Sequence, residues 1–228
     1  MGSPKEKTSG KSRPALSNEP CQLYLICDFA SGGPPADAVA AAIEAGDVAS
    51  LRLDLPADQV VDLERLARIT SIAQAQGVAV LVRDQIELVA KLGLDGVHLS
   101  ASEHITADVA RARAALGRDS IVGASAGLSR HLAMSLAELG ADYVGVDLNK
   151  DDSGAQSRLL EFVAWWGEII EVPCVAFGVE TPEFAQSLAA NGADFIAMTL
   201  LAGTGAEAAG VSARTFDTAI KGPVTKDT

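Results

Sequence analysis

Charged and hydroxyl side chains collect just past short apolar runs in this chain, where a folded scaffold can bring them together. Arg52 and Asp54 end ASLRLD, Arg83 and Asp84 end VAVLVRD, and His98, Ser100 and Glu103 fall in GVHLSASE. Ser125 ends IVGAS, Asp147 ends YVGVD shortly before Lys150, and Gly178 and Thr199 end VAFG and FIAMT. Arginine grips phosphate through two parallel N–H bonds, and lysine adds a point charge. Asp84 and Glu103, on neighbouring loops, are the acids suited to Mg²⁺, which keeps several waters and takes substrate phosphate oxygens. Gly178, and the glycines of LLAGTGAE before a helix starting near Thr204, let backbone N–H groups approach an anion at a positive helix end. Such a collection could handle a phosphorylated small molecule with Mg²⁺. Each member also has a plainer use. An acid such as Asp84 suits the first turn of a helix, the glycines suit turns, and a strand histidine such as His98 is commonly a hydrogen-bonded core residue.

The elements that would position these residues repeat. The joints EAGDVASLRL, AQGVAVLVRD, KLGLDGVHLS, ELGADYVGVD and ANGADFIAMT each place a glycine where a helix ends and an apolar run soon after. Glycine fits the left-handed helix C-cap, and the following run reads as a strand. Eight strands are expected near 22–27, 48–53, 78–82, 96–99, 121–124, 143–146, 174–177 and 195–198. Helices follow near 35–45, 58–76, 85–92, 105–116, 129–139, 155–170, 182–190 and 205–219. Eight β-then-α units favour an α/β fold of one kind, a single (β/α)8 TIM barrel over residues 21–222. Residues 1–20, rich in Ser, Pro, Lys and Gly, read as a flexible tail, and 223–228 as a short C-terminal one. The first turn, DFASGGPP, has no G-x-G-x-x-G, so a Rossmann dinucleotide site is unsupported.

Strand alternation then assigns directions. Arg52, Asp54, Arg83, His98, Ser125, Asp147 and Thr199 face the barrel axis, while Val97, Leu99, Val144 and Val146 face the helices. In this fold, function gathers at the C-terminal ends of the strands. Of the Trp165-Trp166 pair, one ring should pack inward and the other lie partly exposed.

Composition narrows the partners. The 228 residues carry a net charge of −12, so a phosphate backbone is a poor partner and nucleic acid is set aside. No apolar run reaches the ~20 residues of a membrane helix. Cys21, Cys27 and Cys174 give no disulfide framework and suit a reducing, cytoplasmic setting. Oligomeric state leaves no mark in the sequence.

The stretches LVRDQIELVAKLGLDGVHLSASE, IVGAS, GADYVGVD and VPCVAFGVETPEFAQSLAANGADFIAM together resemble the thiamine phosphate synthase family and its thiazole tautomerase relatives, over about residues 22–202. The resemblance implies Mg²⁺-assisted loss of diphosphate from a pyrimidine, then attack by a thiazole nitrogen on the resulting cation. Arg52 matches the Arg of the family's Gln-x-Arg-x-Lys strand motif, and Ser125 the Ser of its Gly-x-Ser turn; these are the catalytic candidates. Asp84 matches a metal-binding Asp, and Glu103 stands where a second one falls. Gly178 matches the first Gly of the phosphate-binding pair and Thr199 lies near its final Ser. Arg83, His98, Asp147 and Lys150 complete the expected substrate contacts.

The sequence also departs from the family. Ser50 and Asp54 replace Gln and Lys, Arg83 replaces Asn, Val179 replaces the second Gly, and LNKDDSGAQ replaces a Thr- and Lys-bearing stretch. The position after the Gly-x-Ser turn that carries His in the tautomerases is Gly127. An acid at 54 opposes a diphosphate by ~4 kcal/mol for one contact at ~4 Å and an effective dielectric of ~20. The alternative expectation is therefore a divergent relative that binds a phosphorylated small molecule without this chemistry, or with another.

Overall fold

The structure is a computed structural model that describes residues 20–29, 31–56, 62–147 and 154–222. Eight strands alternate with eight helices. The strands are β1 (Gln22–Asp28), β2 (Val48–Asp54), β3 (Ala79–Arg83), β4 (Gly96–Leu99), β5 (Ile121–Ser125), β6 (Tyr143–Asp147), β7 (Cys174–Phe177) and β8 (Phe195–Leu200). The helices are α1 (Ala36–Ala45), α2 (Leu63–Ala75), α3 (Ile86–Leu92), α4 (Ile105–Leu116), α5 (Arg130–Glu138), α6 (Ala155–Ile169), α7 (Pro182–Ala190) and α8 (Ala206–Ile220). All strands pair in parallel, and β8 returns to β1 to close the barrel. The expected fold is thus observed. Helix α2 opens at Leu63 rather than at 58, behind an Asp62 side chain that accepts the Arg65 N–H; residues 57–61 lie outside the described set.

Two apolar layers follow from strand alternation. Leu23, Leu25, Leu51, Leu53, Val97 and Val144 point outward and are covered by helices. Tyr24, Leu81, Tyr143, Val175 and Phe177 point inward and fill the barrel axis. Trp166 is fully buried and Trp165 half-buried, and Arg130 lies over the Trp165 ring.

The bottom of the barrel is built by a repeat that the joints carry in plain sight. An aspartate directly precedes each even strand: Asp47, Asp95, Asp142 and Asp194. Three of them accept a backbone N–H from the odd strand beside them, from Val80, Val122 and Cys174 at 2.7–2.8 Å. Asp47 instead accepts the Gln22 side chain of β1 at 2.8 Å. These acids occupy the N-terminal face, where a barrel stores stability. The opposite face is left for chemistry.

Candidate functional site

At the C-terminal mouth, a cavity of about 640 Å³ is lined by Arg52, Arg83, His98, Ser100, Ala101, Ser125, Gly127, Leu128, Asp147 and Arg158. Strand pairing accounts for much of this gathering. Arg83 is in register with His98, and Ser125 is reached through its neighbours on β4 and β6.

Asp54 is the hinge of the basic wall. It is 5% exposed and faces the barrel axis. Arg52 donates to it through Nε at 2.7 Å and Nη2 at 2.9 Å, and Arg83 Nη1 adds a third bond at 2.9 Å. The Arg52 guanidinium also lies 5.0 Å from the centre of the Phe177 ring. Two cations around one anion leave a net positive charge, so the acid at 54 orders the arginines instead of repelling an anionic ligand. Its opposition to diphosphate, expected from its type alone, is corrected by these partners.

Beside this wall runs a buried chain of hydrogen bonds. The Tyr24 and Tyr143 hydroxyls meet at 2.8 Å, Tyr143 Oη lies 2.8 Å from His98 Nδ1, and His98 Nε2 lies 3.2 Å from Ser125 Oγ. The His98 and Tyr143 rings stack with centroids 5.7 Å apart. Glycines make this possible. A Cβ on Gly123 would come within 2.0 Å of Tyr143 Cζ, and one on Gly145 within 3.1 Å of His98 Cε1. Burial, with the Arg52 and Arg83 charges, holds His98 well below the usual imidazole range, so its ring is neutral. Burial raises the Asp147 carboxyl, opposed by a hydrogen bond from Ser125 and by Arg52.

Asp84 stands at the edge. Its φ of +62° makes it the only non-glycine residue with positive φ among the described residues. Its carboxylate accepts the Ser100 N–H at 2.6 Å and the Ser100 hydroxyl at 2.8 Å, and Arg83 Nε lies 3.8 Å away. Such backbone strain persists where surrounding contacts over-determine it, and here Ser100 does so. Among the described residues no three acids, histidines or cysteines cluster in a metal site. A Mg²⁺ held by few carboxylates and completed by substrate oxygens needs no such cluster, and the oriented, half-exposed Asp84 fits that use.

The mouth thus brings together five of the expected residues, Arg52, Arg83, His98, Ser125 and Asp147, in one cavity. Glu103 is exposed in the turn before α4 and does not line it. Gly178, with φ +74°, and the exposed Thr199 sit past β7 and on β8, also outside this lining. The helix expected near Thr204 opens at Ala206 behind Gly205. Lys150 lies outside the described residues. Sequence reading missed Tyr24, Tyr143 and Arg158. Arg158 had a signal: it is a cation in the first turn of α6, which holds no acid there, against the preference of a helix N-terminus.

Comparison with known proteins bears on the same region. The family model described as thiamine monophosphate synthase matches residues 23–200. A thiamine-phosphate synthase of Erythrobacter litoralis (strain HTCC2594) is 37% identical over 202 residues, covering 85% of this chain and 93% of that protein. One from Rhodospirillum centenum (strain ATCC 51521 / SW) is 38% identical over 185 residues, covering 78% and 87%. The thiamine phosphate pyrophosphorylase of Pyrococcus furiosus shares the fold with a TM-score of 0.68 at 21% identity, covering 87% of this chain and 95% of that one. With the match running from β1 to the end of β8, through every strand that carries the cavity, the chain belongs to the thiamine monophosphate synthase family.

Proposed function

We propose that this barrel joins a pyrimidine diphosphate to a thiazole phosphate with loss of diphosphate, a step of thiamine biosynthesis. The observation that carries this reading is the cavity where Arg52, Arg83 and Arg158 meet Ser125, His98 and Asp147. The names of the relatives support it.

In this reaction the C–O bond to diphosphate breaks and its electron pair leaves with the diphosphate. The pyrimidine methylene becomes a cation, and the thiazole nitrogen lone pair closes the new C–N bond. No proton has to move for that bond to form. The protein's task is therefore charge and position, and fixed donors aimed at the leaving group supply most of such an effect. Arg83 and Arg158 take the charge growing on the diphosphate, with Arg52 held behind them by Asp54. Arg52 and Ser125 are the residues we assign to catalysis. His98, kept neutral, holds Ser125 and adds no repulsion toward the pyrimidine cation. Gly178, Thr199 and the glycines before α8 receive the thiazole phosphate, with Lys150 a further cation for either phosphate group. Asp84 and Glu103 would hold Mg²⁺, which would neutralise diphosphate charge. The free, buried thiols of Cys21, Cys27 and Cys174 suit a cytoplasmic setting.

Diphosphate release from the two substrates with Mg²⁺ tests the reading, and Asp84→Ala should abolish it. A second reading is favoured by Asp84 itself, whose two oxygens already accept from Ser100. A barrel that only binds phosphate esters would be stabilised thermally by them and release no diphosphate.

A further inference from the structure

The buried chain from Tyr24 to Ser125 has a direction that its chemistry dictates. Tyr24, His98 and Ser125 are no more than 5% exposed and Tyr143 is 6% exposed, so water is a poor substitute for any lost partner. A neutral imidazole carries one N–H, and two arrangements satisfy His98.

In one, His98 Nε2–H donates to Ser125, Nδ1 accepts from Tyr143, and Tyr143 accepts from Tyr24. Every hydroxyl hydrogen then has an acceptor, and the Ser125 hydrogen is left for Asp147, its other hydrogen-bond partner. In the reverse, His98 Nδ1–H donates to Tyr143 and Tyr143 donates to Tyr24. The Tyr24 oxygen already receives Arg52, which can only donate. The Tyr24 hydrogen would be stranded in the barrel core, and an unmet buried donor is costly. Ser125 would also spend its hydrogen on His98 and leave Asp147 without it.

We propose that Tyr24 and Tyr143 lock His98 as the Nε2–H tautomer, which turns the Ser125 hydroxyl onto Asp147 and gives this side of the cavity an acceptor-only edge made of a Ser125 lone pair and the Asp147 carboxylate. Such an edge selects a ring that brings its own N–H donors, an amino-substituted pyrimidine, and rejects the same ring without them. Tyr143 and Tyr24 are positioning residues here, and Asp147 is the group that meets the ligand. The inference deepens the function proposed above and rests on it for the identity of the ring. The tautomer itself stands on the hydrogen bonds alone.

The test has two independent arms. In ¹⁵N-histidine spectra of the full chain, His98 is identified as the signal set missing from His98→Asn, with His104 and His131 remaining. It should show a protonated Nε2 and an unprotonated Nδ1, and Tyr143→Phe should give a mixture of tautomers. A protonated Nδ1 in the unmutated protein overturns the lock whether or not the protein has any synthase activity. In the second arm, calorimetry compares the amino-pyrimidine alcohol with its deamino analogue. The unmutated protein should prefer the amino compound by about 100-fold, since a site built to pair with a polar group discriminates strongly against its absence. Asp147→Asn and Tyr143→Phe should cut that preference to about tenfold or less. A purely structural Tyr143 would lower the melting temperature and leave the ratio intact, which would overturn the positioning role. Equal binding of the two compounds by the unmutated protein would overturn the acceptor edge. Failure of diphosphate release alone would count against the proposed reaction and leave both arms to judge this inference.

Discussion

One oxygen of Asp54 accepts both Arg52 Nη2 and Arg83 Nη1, each at 2.9 Å, so a single buried acid ties together two arginines from neighbouring strands. Arg52 is nearly as buried as Asp54, whereas the Arg83 side chain is 39% exposed. The two pairs therefore carry unequal weight.

Asp54→Asn removes the counter-charge of a buried guanidinium, and breaking such a pair by deleting one partner costs about 3–5 kcal/mol. Arg83→Met deletes a partly exposed cation and leaves Asp54 paired with Arg52, so its cost should be about 1 kcal/mol or less. Urea denaturation midpoints check this order. In turnover, both variants should raise KM for the diphosphate substrate, because both disorder the basic wall.

Gly123→Ala should be the most disruptive single-methyl change in the barrel interior. Its Cβ would meet the Tyr143 ring at 2.0–2.5 Å, and the ring is held by stacking on His98. Overpacking of this kind costs about 1–3 kcal/mol. Gly127→Ala is a fair comparison for lining without crowding, since nothing lies within 4 Å of its Cβ, although its φ of +55° adds backbone strain. A thermal melt should therefore show a loss for both, with a weakened His98 tautomer signature for Gly123→Ala alone.

Asp147→Asn should stabilise the fold at neutral pH while impairing its use. Burial raises the Asp147 carboxyl above its ordinary value of 3.8. The folded chain thus releases this proton at a higher pH than the unfolded chain does. Between the two values the unfolded state binds fewer protons, so stability falls as pH rises, and the loss is complete above the folded value. Asparagine does not ionise and escapes that loss. Melting temperatures of the two proteins should converge in strong acid and separate toward neutral pH, with the variant higher. At this chain length a gap of about 2–4 °C corresponds to about 1 kcal/mol.

Asp142→Ala tests the opposite face. It removes the acceptor of the Val122 N–H and a partner of Arg113. Leaving a buried N–H unpaired costs about 1–3 kcal/mol. Because Asp142 caps the bottom of the barrel, kcat/KM should be unchanged at temperatures where the variant stays folded.

The sequence was a good guide wherever the signal was local. Glycine joints and short apolar runs set the order and extent of the strands, since a helix end and a strand start are written within a few residues of each other. Alternation alone sent His98, Ser125 and Asp54 inward, because parity on a strand requires no knowledge of its neighbours. What stayed hidden was partner choice. Arg83 lies 29 residues from Asp54 and meets it only once β2 and β3 pair. Tyr143 lies 119 residues from Tyr24, and within YVGVD it reads as one more core residue. Gly123 and Gly145 were the available clue, since small residues facing inward leave room for a large ring. Glu103 shows the converse, a residue type suited to metal whose position in an exposed turn the sequence did not supply.

The most direct measurement is diphosphate release by the full chain supplied with the pyrimidine diphosphate, the thiazole phosphate and Mg²⁺. The account predicts turnover that needs both substrates, disappears with Asp84→Ala and is weakened through KM by Asp54→Asn. A folded protein that binds these phosphate esters, by a rise in melting temperature, and releases no diphosphate would contradict it.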